Sequence, residues 1–284
     1  MTDSILTQTG KTQVAGVFGW PINHSRSPRL HGYWLRKYGI DGAYLPFSTR
    51  PEHLVEAIRA LPKLGFRGGN VTLPHKERAC DAVDDLSPVA RRIGAVNTLI
   101  VREDGSILGD NTDGFGFLAH LKASAPSWRA DNGKAVILGA GGAARGIIVA
   151  LQEAGVKQIV IANRTTARAE ALAADLGGDI AVIDWSDRAK VLRDAGILVN
   201  TTQLGMNGQP PLEIDLTHLP TQAVVDDIVY VPLETALLAQ ARARGNAVVD
   251  GIGMLLHQAR PGFKAWFGKE PEVDAKLRDF VLTD

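Results

Sequence analysis

The sequence predicts an α/β protein of two domains, each a largely parallel sheet covered by helices. Three observations predict it. Short apolar runs alternate with helical patterns from residue 13 to about residue 108, a polar stretch over residues 123–134 interrupts them, and a second alternating series begins at Ala135. A chain of 284 residues is long enough for two domains of common size.

In the first series residues 14–18 read as extended, 28–37 as helical, 43–47 as extended and 52–61 as helical, and 69–72 and 98–101 read as extended. Pro28 suits the first helical position, with Ser27 as its cap. Asn70-Val-Thr72 ends a strand, and Pro74 then restarts the chain as a helix that carries Lys76. A helix spans residues 115–121, and Asp113 on its own could be no more than its N-cap. The second series runs as strand 135–138, helix 143–153, strand 158–162, helix 166–176, and strands 197–200 and 223–226. The hinge falls near Asp113.

Composition excludes several function classes. Lysine plus arginine and aspartate plus glutamate each total 31, and no basic run tracks a phosphate backbone, so nucleic acid is not an expected partner. Residues 1–10 are polar without an apolar signal core, and no stretch approaches the ~20 apolar residues of a membrane span. The one cysteine, Cys80, reads as a small buried residue in a helix, and neither it nor the seven histidines fall into zinc spacing. A reducing, cytoplasmic setting and no metal are expected.

The strand ending at Leu138 runs into Gly139-Ala140-Gly141-Gly142-Ala143-Ala144, which fits GxGxxG/A and opens an apolar helix. The first glycine permits a tight turn, the second lets the backbone approach a pyrophosphate, and the small third residue packs helix on strand. Free helix N–H groups then face the anion. The second series is therefore a Rossmann-type doubly wound, dinucleotide-binding domain. Where an NAD site places an acidic residue for the ribose 2′-hydroxyl, this chain has Asn163-Arg164-Thr165, with Arg168 one turn on. Guanidinium groups and the Thr165 hydroxyl suit a 2′-phosphate, so the expected cofactor is NADP.

His24-Ser25-Arg26-Ser27-Pro28 sets two hydroxyls at a helix start, which serves a carboxylate or plain capping equally well. This segment, Asn70-Val-Thr72-Leu-Pro74-His75-Lys76, Ala95-Val-Asn97-Thr98, Gly109-Asp-Asn-Thr-Asp113-Gly114, the glycine motif, Asn163-Arg164-Thr165 and Asp250-Gly251-Ile-Gly-Met-Leu255 follow one another in order across nearly the whole chain. In that order they resemble the shikimate dehydrogenase family.

The resemblance implies a substrate domain of residues 1–113 plus 252–284, an NADP-binding domain of residues 114–251, and an active site in the cleft between them. It implies reversible NADPH-dependent reduction of 3-dehydroshikimate to shikimate, on the route to aromatic amino acids, by a monomer or homodimer. By positional match Lys76 is the catalytic lysine and Asp113 its carboxylate partner. Ser25 and Ser27 bind the substrate carboxylate, Asn70, Thr72, Asn97 and Gln258 position its ring hydroxyls, and Tyr230 lies near the substrate. Ile228 and Gly251 touch the nicotinamide end. His75, Ile228 and Gln203 depart from the family pattern, where phenylalanine, methionine and serine are common. A dual quinate/shikimate dehydrogenase is the nearest alternative, but its members often use NAD and carry an aspartate where Asn163-Arg164 stands. A non-catalytic nucleotide- or metabolite-binding paralogue is the other; both Lys76 and Asp113 are present, against that reading. GxSxG is absent, which removes a hydrolase of that type.

Overall fold

Residues 8–283 are described by the computed structural model, and the first seven residues of the polar start lie outside them. The chain divides into two units, Met1–Thr112 with Gln258–Asp284, and Asp113–His257.

In the first unit, β1 (Gln13–Gly19) is buried from Ala15 onward and leads to α1 (Ser27–Lys37). Then come β2 (Gly42–Ser48), α2 (Leu54–Ala60), β3 (Phe66–Val71), β4 (Asp85–Leu86), α3 (Pro88–Ile93), β5 (Thr98–Val101) and β6 (Ile107–Asp110). The sheet order is β2-β1-β3-β5-β6-β4. β1 runs parallel to β2 and β3, whereas β5 is antiparallel to both β3 and β6. Residues 102–106 are too few for a crossover, so β5 and β6 form a hairpin. One apolar layer of this unit joins Phe18, Leu54, Ile58, Val71 and Leu99.

Three local expectations change. α1 starts at Ser27, so Arg26 occupies the cap position without a side-chain capping bond, and the Ser25 hydroxyl accepts from Ser27 N–H (3.4 Å). The helical run over 52–61 splits into a 3-10 turn, Pro51–His53, and α2. No α-helix follows Pro74: His75 N–H donates to Thr72 O (2.9 Å) across the cis Leu73–Pro74 bond, and a 3-10 segment, Arg78–Ala82, comes next. Proline's fixed ring and missing N–H suit a turn as well as a helix start, and here the chain closes a turn. Cys80 sits in that 3-10 segment and is half-buried.

The second unit contains α4 (Asp113–Ser124), β7 (Lys134–Leu138), α5 (Gly142–Glu153), β8 (Gln158–Asn163), α6 (Thr166–Leu176), β9 (Asp179–Asp184), β10 (Ala195–Asn200), β11 (Val224–Asp227), α7 (Ala236–Ala243) and β12 (Ala247–Asp250). Asp113 is the first helical residue of α4 rather than a cap outside it. Every pairing is parallel, in the order β12-β11-β10-β7-β8-β9. This is the doubly wound order, with the chain reversing direction across the sheet at β7 and β10. Ile137, Ile159, Ile161 and Val199 face one apolar layer, and Val136, Leu138, Val160 and Leu198 face the other. Burial on both faces is why these strands read as unbroken apolar runs. β9, at one edge, is only partly buried and polar at both ends, which hides it in the sequence pattern.

α8 (Gly251–Phe267) begins in the second unit and ends in the first, and α9 (Ala275–Leu282) follows, capped by Asp274 Oδ1, which accepts from Leu277 N–H (2.8 Å). In the first unit Phe263 and Trp266 of α8 close an aromatic cluster around His31, Trp34 and Tyr44. Among the described residues no helix is long and apolar enough to cross a membrane, and no group of three or more His, Cys, Asp or Glu is placed to hold a metal.

Candidate active site

Strand register brings the first unit's polar residues together. Asn70 of β3 pairs with Thr98 of β5, and Thr98 pairs with Asp110 of β6, so Asn97 and Thr112 lie at the same sheet end. Asn70, Asn97, Thr112 and Gln258 are all buried and must find partners inside the protein. Asn70 Nδ2 donates to Asn97 O (3.1 Å) and Thr98 Oγ1 (3.3 Å), and Thr98 Oγ1 donates to Asn97 Oδ1 (2.8 Å). Asn97 Nδ2 donates to Thr112 Oγ1 (3.2 Å) and Gln258 Oε1 (3.3 Å), while Thr112 N–H returns to Asn97 Oδ1 (2.9 Å). Tyr44 Oη donates to Asn70 Oδ1 (2.6 Å), and Ser27 hydrogen-bonds to the same phenol. Burial pushes the Tyr44 hydroxyl well above its ordinary range, so it remains a neutral donor. The predicted residues Ser27, Asn70, Asn97 and Gln258 thus form one network.

Thr72 and Lys76 occupy the turn after β3, both half-buried. Val96 N–H donates to Lys76 O (2.8 Å), which pins the lysine's backbone beside Asn97. His75, between them, is buried and its Nε2 meets Thr49 O at 2.8 Å. Burial pulls the His75 imidazole below its ordinary value, and the carbonyl partner assigns the proton to Nε2. Its neutral ring is a peg for the turn. Ser25 meets this network through its hydroxyl, which accepts from Ser27 N–H (3.4 Å).

In the second unit the glycine motif lies between β7 and α5. Gly139 has φ of 109°, and a Cβ there would sit 2.6 Å from Thr201 Oγ1. Gly141 caps α5 without any side-chain bond, and nothing lies within 4 Å of where its Cβ would be. Arg168 Nε donates to Ala140 O (2.9 Å), bracing the loop, while Gly142 and Ala143 open the helix half-buried. α6 begins beside it with no acidic residue in its first turn, and Thr165 at its cap position makes no capping bond. Asn163 Nδ2 closes this turn on Thr165 O (2.9 Å). Arg164 is exposed and forms no ion pair among the described residues. Two uncapped helix starts and a free guanidinium suit the pyrophosphate and 2′-phosphate of NADP.

Asp113, at the start of α4, is 3% exposed. Gly251 starts α8 where a Cβ would lie 2.2 Å from Ile228 O, so only glycine lets this backbone pass. Tyr230 is half-buried in the segment that follows β11. That segment is shaped by Asp227, which accepts from Asn200 Nδ2 (2.9 Å), Val229 N–H (3.1 Å) and Thr235 Oγ1 (2.7 Å). Burial pushes Asp227 up to about 6 against the pull of those donors. Sequence reasoning missed Asp227, Tyr44, Thr98 and Thr112. Two aspartates closing an apolar strand were a usable signal for the first; the others became visible only through register.

Comparison with known proteins decides the family. Models of the shikimate dehydrogenase substrate binding domain, of shikimate / quinate 5-dehydrogenase and of the shikimate 5′-dehydrogenase C-terminal domain match residues 17–99, 121–206 and 251–275. A relative from Paramagnetospirillum magneticum, named shikimate dehydrogenase (NADP(+)), is 60% identical over 275 residues, 97% of this chain and 100% of its own. The chain belongs to the shikimate dehydrogenase family. Among solved members of similar structure, the Thermus thermophilus shikimate 5-dehydrogenase in complex with NADP(H) and shikimate has a TM-score of 0.84 at 36% identity, covering 95% of this chain and 98% of that one. Quinate dehydrogenase from Corynebacterium glutamicum in complex with NAD has a TM-score of 0.86 at 32% identity, covering 95% and 99%. Since proteins named for different substrates share this fold, specificity within the family must be argued from side chains.

Proposed function

We propose that the chain catalyses the reversible reduction of 3-dehydroshikimate to shikimate with NADPH, a step toward chorismate and the aromatic amino acids. The carrying observation is the 60% identity along 97% of the chain to a relative named for that activity with NADP. The uncapped starts of α5 and α6, with Arg164 beside them and no carboxylate in the first turn of α6, support the cofactor.

NADPH, when bound, supplies the hydride. Gly139, Ala140, Gly141, Gly142 and Ala143 would hold its pyrophosphate through backbone N–H groups, Arg164, Arg168, Thr165 and Asn163 its 2′-phosphate end, and Ile228 and Gly251 its nicotinamide end. Ser25 and Ser27 would hold the substrate carboxylate, and Asn70, Thr72, Asn97, Tyr230 and Gln258 would position its ring. An alkoxide forming at the ketone oxygen needs a proton, which Lys76 Nζ would supply, with Asp113 as its carboxylate partner and an acceptor for a ring hydroxyl. In the reverse direction the lysine takes that proton back. The first unit is thus the substrate unit and the second the NADP unit of a cytoplasmic monomer or homodimer.

Initial rates of pyridine-nucleotide reduction, with shikimate or quinate and with NADP or NAD, test this. Turnover confined to shikimate with NADP is expected. Comparable quinate turnover with NAD would move the chain to the quinate branch, and no turnover in any pairing would overturn the enzymatic reading.

A further inference from the structure

A carboxamide offers an acceptor on one edge and two donors on the other, so its orientation decides what a ligand meets. In the first unit two fixed groups set that orientation for Asn70. Tyr44 Oη–H holds its Oδ1 at 2.6 Å, and the Asn97 carbonyl takes a proton from its Nδ2 at 3.1 Å. A flipped Asn70 would turn Oδ1 onto that carbonyl, acceptor against acceptor. The second Nδ2 hydrogen goes to Thr98 Oγ1 (3.3 Å), whose single hydrogen goes on to Asn97 Oδ1 (2.8 Å). Asn97 is then oriented in turn, and its Nδ2 donates to Gln258 Oε1 (3.3 Å). Direction is inherited from one member to the next.

The first member is held rigidly. The Tyr44 ring stacks on His31 with centroids 3.9 Å apart and planes 13° from parallel, and both residues are buried. We propose that Tyr44 is a positioning residue for the substrate. Its hydroxyl starts a one-way hydrogen-bond chain through Asn70, Thr98 and Asn97 to Gln258, which leaves Asn70 to meet a ring hydroxyl as an acceptor and Gln258 to meet one as a donor. Asn97 Oδ1 also accepts from the main-chain N–H of Thr112 (2.9 Å), the residue before Asp113, which holds the amide in the same orientation. The inference rests on the substrate roles proposed above for Asn70, Asn97 and Gln258.

Tyr44→Phe keeps the stacked ring and removes only the donor. With the wild type turning over shikimate, this variant should lose roughly 10- to 100-fold in kcat/KM for shikimate, carried mainly by KM, with KM for NADP within about twofold of wild type, the scale set by one buried acceptor left unpaired. Thr98→Val should behave alike, Thr98→Ser should recover, and the Tyr44→Phe/Thr98→Val double variant should lose little more than the worse single one, because one chain is cut twice. Full additivity, or equal rises in KM for shikimate and NADP, would overturn the chain. If Tyr44→Phe does not fold, the Thr98→Val and Thr98→Ser pair carries the same comparison. If the wild type does not turn over shikimate, the proposed function fails separately. Side-chain amide hydrogen exchange by NMR, without substrate, then decides: faster exchange at Asn70 and Asn97 in Tyr44→Phe supports the chain, and unchanged rates overturn it.

Discussion

Lys76 divides its work between backbone and side chain. Its carbonyl accepts from Val96 N–H (2.8 Å) and so ties the turn after β3 to the segment that carries Asn97 into β5, whichever side chain stands there. Truncation to alanine keeps that bond, so Lys76→Ala should fold and bind NADP as the wild type does. Turnover should fall by roughly two to four orders of magnitude, the usual worth of a positioned acid or base. Single-turnover rates beside cofactor titrations separate the two effects; a parallel loss of NADP binding would refute the proton-donor role. His75, next to it, shows how a family departure resolves at this scale. Its buried neutral ring donates to Thr49 O, so the histidine holds the turn.

At the scale of elements, both ligands are assigned to the ends of strands, where a turn must end a strand and open a helix. Arg164 stands at such a turn, one residue ahead of the Thr165 cap position of α6, whose first turn holds no acid. Arg164→Asp would set a carboxylate there that repels a 2′-phosphate and accepts from a 2′-hydroxyl. kcat/KM for NADP should drop roughly 10- to 100-fold, the worth of one or two charge-assisted bonds, while that for NAD holds or rises. An unchanged NADP-to-NAD ratio would remove Arg164 from the cofactor site. These turns were legible in the sequence because glycine, proline and asparagine act locally, and the runs 135–138 and 158–162 were legible because strands buried on both faces are apolar throughout. Pro74 misled, since the same residue that opens a helix also closes a turn, and only the His75-to-Thr72 bond distinguishes them. Tyr44, Thr98 and Thr112 stayed silent for another reason. Their partners lie on separate strands or just beyond strand ends and meet through register, which no short spacing encodes.

For the whole molecule, the two units carry opposite responses to acid. His31 lies in the first unit, fully buried, with neither ring nitrogen at hydrogen-bonding geometry. Burial lowers it from 6.5 to about 3, and the nearby Asn70 side chain offsets only part of that. Between those values the unfolded chain binds a proton that the folded unit refuses, so this stability is present above 6.5 and is lost as pH falls toward 3. At about 1.4 kcal/mol per unit the full loss is roughly 5 kcal/mol. His75, also lowered by burial, acts in the same direction. Asp227, in the second unit, is raised from 3.8 to about 6, so its burial costs stability above 6 and acid relieves that cost on the way down to 3.8. Asp226 beside it, fully buried, is raised well above its ordinary value, by burial first and then by the charges of Asp227 and Asp250. At pH 4.5 the exposed carboxylates lowered by their own hydrogen bonds, such as Asp41 and Asp104, are still ionised and take no part. Amide exchange compared at pH 7.5 and 4.5, corrected for intrinsic rates, should therefore show β1 and β3 losing protection relative to β7 and β10. His31→Phe, which leaves a ring against Tyr44 but removes the basic nitrogens, should abolish most of that difference. Uniform loss in both units, or a difference that survives His31→Phe, would show that some group other than this histidine sets the acid limit of the fold.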